Sequence, residues 1–289
     1  MRICLMIEGQ EGVSWEQWVA LARAAEDAGL EGLFRSDHYR SIVRGDPAGS
    51  LDAWAALAGL AAVTKRIRLG TMVTPVTFRR APILAKLVTT VDHISGGRVE
   101  LGLGAGWFES EHEAYGLAFP PTAERLDELE RQLAEITRQW TEAAEVWPKP
   151  LQQPRPPLIV GGAAKPRTVA AAVRFADEYN TVWATVDEAR QRRRILDDAA
   201  RAAGREPLRF SVMTGCVAGR DRSDLRRRLG EFKQLTGNDA PAISGTLDEL
   251  AELMRRYEDA GVERMMLQHL VHEDVEMVAV LGELAAAVG

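Results

Sequence analysis

The stretch Arg98-Val99-Glu100-Leu101-Gly102-Leu103-Gly104-Ala105-Gly106-Trp107 decides how the chain folds. Its first half is a short, mainly apolar run of strand length. Its second half is a glycine-rich turn, where the backbone can bend sharply and lie close to a ligand. After a first strand, such a turn would open a nucleotide-binding sheet. Here three strand–helix units precede it. Arg2–Ile7 is a buried strand, and Ser14 opens a helix with Gln17 as the reciprocal partner of a capping box, ended at Gly29. Residues 32–34 and 67–73 are the next strands, with helices at 51–63 and 82–94, the last carrying Pro82 in its first turn.

The same alternation continues downstream. Strands are expected at 158–160, 179–183, 208–217 and 264–268. Helices are expected at 122–140, 167–176, 186–203, 225–235, 247–260 and 275–288. Strand–helix alternation implies a parallel sheet, and eight units favour closure. The expectation is an α/β chain forming one (β/α)8 TIM barrel over residues 1–289, a single domain with short insertions. No linker or composition break marks a second domain.

Composition fits that reading. The 289 residues are 46% hydrophobic and 27% charged, as in a folded soluble domain. Acidic residues outnumber basic ones by 42 to 36, so no basic footprint for nucleic acid stands out. The N-terminal apolar run stops at Glu8-Gly9-Gln10-Glu11, too soon for a signal peptide, and no run nears the roughly 20 apolar residues of a membrane span. Cys4 and Cys216 are too few for a disulfide framework. The expected setting is cytoplasmic, with a small-molecule substrate and neither nucleic acid nor membrane as partner.

In a barrel of this kind, reactive groups sit where strands end. Four segments fall there: Ser36-Asp37-His38-Tyr39, Gly70-Thr71-Met72-Val73-Thr74-Pro75, Gly102 to Trp107, and Gly161-Gly162-Ala163-Ala164-Lys165-Pro166-Arg167-Thr168. His38 titrates in the range useful for proton transfer near neutral pH. Gly161-Gly162, with Ala163 and Lys165 before a helix, offers N–H donors and positive charge for a phosphate. His112 lies among Glu109, Glu111 and Glu113, but no metal site is expected from this group. Gln268 and His269 end the last strand and so are expected to reach the mouth.

In this order and spacing, the segments resemble the bacterial luciferase-like superfamily, and more closely its branch using the deazaflavin coenzyme F420. Residues 245–249 and 260–269 resemble that branch too. The resemblance implies an oxidoreductase passing a hydride between C5 of F420 and a small organic substrate. It places His38 over the reactive face, with Asp37 at the ring system. It puts a cis peptide at Met72-Val73 behind the ring, and Gly104, Ala105 and Gly106 beside the cofactor. Trp107 stands at the catalytic position where some sugar-phosphate dehydrogenases of the family carry an acidic proton donor, which speaks against a sugar phosphate here.

Arg40, Arg44, Arg79, Arg80 and Lys165 are candidates to receive the acidic tail of F420. Family likeness also implies a homodimer. The segment 141–147 replaces a longer insertion that covers the pocket in relatives. The alternatives are an FMN-dependent two-component monooxygenase of the same superfamily and a non-catalytic flavin- or deazaflavin-binding protein. A methyltransferase is the third, since residues 100–106 mimic its S-adenosylmethionine turn.

Overall fold

The computed structural model describes residues 1–45 and 47–289. Its strands are β1 (Arg2–Ile7), β2 (Gly32–Arg35), β3 (Arg68–Thr71), β4 (Thr74–Pro75), β5 (Val99–Gly104), β6 (Leu158–Gly161), β7 (Glu178–Val182), β8 (Arg209–Gly219), β9 (Ile243–Thr246) and β10 (Arg264–Gln268). Its helices are α1 (Trp15–Asp27), α2 (Ala53–Val63), α3 (Ala81–Ser95), α4 (Glu109–Tyr115), α5 (Thr122–Thr141), α6 (Pro166–Phe175), α7 (Val186–Ala202), α8 (Arg222–Thr236), α9 (Leu247–Asp259) and α10 (Glu276–Val288).

The strands β1-β2-β3-β5-β6-β7-β8-β10 pair in parallel, and β10 pairs again with β1 to close an eight-stranded barrel. All eight strands expected from the sequence take part. A short 3-10 turn at Gly9–Glu11, a strand and a helix were not expected. β9 pairs with the far end of β8, at Cys216–Gly219, outside the barrel. α4 forms between β5 and α5, ended by Gly116 at φ +66°. The expected third strand is also interrupted: β3 stops at Thr71, and β4 resumes at Thr74 against β5.

Local signals fix the helix ends. Ser14 accepts from the Gln17 amide while the Gln17 side chain accepts from the Ser14 amide at 2.8 Å, and Thr185 forms the same box with Glu188. Apolar helix faces and the outward faces of the strands share one core, in which Trp18, Leu57, Leu84, Leu133 and Leu281 are buried.

The barrel interior is partly charged. Arg264 lies fully buried between Glu100 and Glu178, at 2.7 and 2.6 Å, and its guanidinium sits 5.0 Å from the Phe34 ring centroid. Arg68 and Arg209 reach the same carboxylates from the edge. Burial opposes ionisation of Glu100, but the Arg264 and Arg68 guanidiniums outweigh it and bring its carboxyl down to about 2. Burial, with Glu100 beside it, holds Glu178 above the usual carboxylate range despite Arg264.

The segment after Trp140 runs along the end of the barrel where the strands begin. Gln152 bonds Asp92, Arg68 and the Val99 carbonyl, and Lys149 caps the carbonyls of Gln139 and Ala143. Its shortness was expected to alter the pocket cover. The structure corrects that, because an α-to-β connection lies on the face opposite the strand C-termini. His93 meets this segment too, through the Lys149 carbonyl at 2.8 Å, rather than its own helix's carbonyls.

Removing the cation from the triad takes from two buried carboxylates their one fully buried partner and leaves them only the edge contacts of Arg68 and Arg209. Arg264→Met should lower stability by about 3–5 kcal/mol in equilibrium urea unfolding. The triple change Arg264→Met, Glu100→Gln, Glu178→Gln should recover part of the loss. A single variant as stable as the parent would show that the triad does not hold the barrel.

Candidate active site

A cavity of about 610 Å³ opens at the C-terminal ends of the strands. One side is built by the ends of β3, β5 and β6: Met72, Val73, Gly104, Ala105, Gly106, Gly161 and Gly162. The other is built by the ends of β1, β2 and β10: Glu8, Gln10, Ser36, His38 and Gln268, with Ile42 and Leu270 above. Met213 and Asn180 lie between the two sides. Trp107 and Trp183 stand at the rim, 62% and 54% exposed.

The Met72–Val73 peptide is cis, and Val73 projects from the break between β3 and β4. This explains the glycines. A Cβ on Gly102 would lie 2.1 Å from the Thr71 carbonyl oxygen, and one on Gly104 would lie 2.6 Å from Val73 Cγ2. The glycine-rich run makes room for protein, the Val73 bulge, before it makes room for any ligand. Gly106 additionally has φ +79°, which a side chain would resist.

His38 lines the cavity with its Nδ1 2.7 Å from Glu111 Oε1. Glu111 is 1% exposed and also accepts from the Tyr39 amide at 3.0 Å. Burial works against a charged imidazole here. The hydrogen bond and charge of Glu111, helped by Glu8 and Asp37, outweigh it and raise the His38 pKa above its ordinary value. A buried carboxylate can only accept, so Nδ1 carries a hydrogen and Nε2 is left for a ligand.

Sequence reasoning did not single out Glu111, which sits in a run of five charged or polar residues, 109–113. Its one available signal is its place on a short helix directly after the β5 turn. His112, on the same helix, is fully buried and tied to Thr77 Oγ1 at 2.6 Å and the Phe108 carbonyl at 2.8 Å.

Several expected residues lie elsewhere. Asp37 was placed at the ring system. Its carboxylate instead sits behind the wall, taking bonds from Arg79 Nη1 at 2.6 Å and Thr74 Oγ1 at 2.8 Å. Asp37 and Asp52 together occupy Arg79, and Glu273 occupies Arg44 at 2.8 Å, so those two guanidiniums are already paired. His269 is buried away from the cavity against the Asp274 carbonyl, and burial brings its pKa down to about 4.

The phosphate loop is less open than expected. The Gly162 amide donates to the Asn180 carbonyl, and the Ala164 amide to Tyr179 Oη. Ala163 and Lys165 remain exposed beside the first turn of α6. Among the described residues, no three His, Cys, Asp or Glu side chains converge as a metal site. No helix among them is long and apolar enough to cross a membrane.

Two hydrogen-bond chains set what the cavity offers. Ser211 donates to the Glu178 carboxylate, so its oxygen accepts from Asn180 Nδ2 at 2.8 Å. That turns Asn180 Oδ1 away, buried and without a partner. On the opposite side Ser36 donates to Gln10 Oε1, and Gln10 Nε2 donates to Glu8 at 2.7 Å. Gln268 Nε2 also donates to Glu8, leaving Gln268 Oε1 buried and unpartnered. Glu11, 2% exposed, accepts from Ser41 and from the amides of Ile42, Val43 and Arg44, and so folds that loop over the cavity. It too went unnoticed in the sequence.

Glu111→Gln should lower the His38 pKa, read from its imidazole resonances by NMR. The sign for stability follows. Folding raises this pKa, so its stabilising contribution is full below the unfolded value near 6.5 and is lost as pH rises through the folded value. The stability difference between parent and variant should therefore shrink as pH rises through that window. An unmoved His38 pKa would contradict the pairing.

The family model for luciferase-like monooxygenases matches residues 2–287. An F420-dependent glucose-6-phosphate dehydrogenase of Microbacterium testaceum is 25% identical, covering 90% of this chain and 89% of the relative. A putative coenzyme F420-dependent oxidoreductase of Mycobacterium tuberculosis is 28% identical, covering 81% and 79%. Among solved structures, an F420-dependent secondary alcohol dehydrogenase in complex with an F420-acetone adduct superposes with a TM-score of 0.80 at 18% identity, covering 100% and 99%. A monooxygenase from Streptomyces bottropensis gives 0.79 at 21% identity, covering 98% of both chains. A closed parallel barrel with this cavity, and a family match over almost its whole length, make the chain a member of the luciferase-like monooxygenase family.

Proposed function

We propose that the protein is an oxidoreductase that uses coenzyme F420 to move a hydride to or from a small organic substrate. The observation that carries this reading is the His38–Glu111 pair, which sets a charge-balanced imidazole on the wall of a cavity whose other side is apolar. The relatives named above as F420-dependent favour the deazaflavin over FMN.

The residues present suit such a group. Its volume falls in the range of small-molecule sites. Met72, Val73 and Met213 give apolar surface for a flat ring system. The unpartnered Asn180 Oδ1 is an acceptor that a ring N–H would satisfy. Ala163, Lys165 and the first turn of α6 would hold the phosphate, with the free amides and positive helix end supplying the attraction. When bound, the deazaflavin supplies a two-electron centre for hydride transfer.

The chain's own part is positional and acid–base. Glu111 holds His38 by Nδ1, leaving Nε2 to give a proton to the substrate oxygen or nitrogen, or to take it back in the reverse direction. The Val73 bulge and the two rim tryptophans narrow the space and limit water around the reacting atoms.

Fluorescence titration of the apo-protein with F420 and with FMN tests the cofactor. Tight binding of F420 and weak binding of FMN is expected, and the reverse order would sink the proposal. His38→Ala should keep F420 affinity within a few fold while lowering turnover by about 10²–10⁴.

A further inference from the structure

The two sides of the cavity differ in chemistry. The side built by β3, β5 and β6 is apolar wall and glycine backbone. The side built by β1, β2 and β10 is polar, with the half-buried Glu8 carboxylate among Gln10, Ser36 and His38. Among the described residues, no lysine or arginine lines the cavity. His38 is the one base there, and Glu111 balances its charge at 2.7 Å. Arg35 is engaged with Ser50 and the Ser36 and Leu51 carbonyls, and Arg44 with Glu273.

The orientation of Gln268 is not arbitrary. Glu8 can only accept, so it fixes the amide nitrogen toward itself and leaves the oxygen buried on the Gly215 side. Glu8 is meanwhile held by Gln10, which Ser36 holds in turn. A rigidly held carboxylate with no lysine or arginine beside it, and with the charge of His38 balanced by Glu111, rewards a donor and repels an anion. Above it stand Ile42, Leu270, Trp107 and Trp183, flat and apolar surfaces at the mouth.

We infer that the β1, β2 and β10 side is the substrate subsite, and that it selects an apolar or aromatic molecule bearing an uncharged or cationic hydrogen-bond donor, such as an amine or alcohol, against phosphates and carboxylates. This rests on the oxidoreductase reading for the word substrate, while the selectivity itself is a property of the cavity. It separates this chain's specificity from the phosphorylated sugar in the names of several relatives.

Three matched probes test it by isothermal titration calorimetry: 2-naphthylmethylammonium, 2-naphthylmethanol and 2-naphthylmethyl phosphate, each on the full chain with and without F420. The ammonium and the alcohol should bind, and the phosphate should bind about tenfold or more weakly than the ammonium. Glu8→Gln should remove most of the ammonium's advantage over the phosphate. Raising the salt concentration in the parent protein should weaken the ammonium and leave the alcohol unchanged, a readout that does not depend on the variant folding. Equal or tighter phosphate binding, absence of binding by all three probes, or an unchanged order in Glu8→Gln would overturn the inference. A protein that fails to bind F420 yet keeps this order would fail only the cofactor reading.

Discussion

Arg264 between Glu100 and Glu178 is the constraint on which the rest turns. Three strands, β5, β7 and β10, each bring a charge into the barrel interior, where an unpaired charge would cost several kcal/mol. The charges are tolerated only if the barrel closes in one register. Their effect also extends upward. Glu178 accepts a hydrogen bond from Ser211, Ser211 accepts one from Asn180 Nδ2, and the side-chain oxygen of Asn180 is thereby left buried without a partner. A closure device at the floor thus sets a hydrogen-bond acceptor in the site.

The cavity itself follows from backbone geometry more than from polar residues. The cis bond at Met72–Val73 places Val73 against the turn after β5. Gly102 and Gly104 are required there because Cβ atoms would collide with Thr71 and Val73. What remains is a slot with one apolar wall and one polar wall, the second carrying His38 and Glu8.

Much of this was legible in the sequence. Short apolar runs alternating with amphipathic ones located all eight barrel strands, because strand and helix periodicities survive in a single chain. The resemblance brought out His38, Met72–Val73, Gly104, Ala105, Gly106, Gly161 and Gly162, all of which line the cavity together with Trp107. Partners that meet across long sequence distances were not legible. Glu111 is 73 positions from His38, and Arg264 is 164 from Glu100. Nothing local tells such a glutamate from a solvated one. Asp37 misled for the opposite reason: its neighbour His38 faces the cavity, but successive side chains at a strand end diverge, and Asp37 meets Arg79. Glu11 went unnoticed because its work is done on backbone amides, which leave no mark in the side-chain pattern.

The most direct measurement of the central claim is a crystal structure of the protein with F420 bound. The account predicts the deazaflavin ring inside this cavity, packed against Met72 and Val73, with His38 Nε2 facing the reactive carbon and the Asn180 carbonyl in hydrogen-bond range of the ring. A ring bound elsewhere on the chain, or one inside the cavity with His38 turned away from its reactive face, would contradict it.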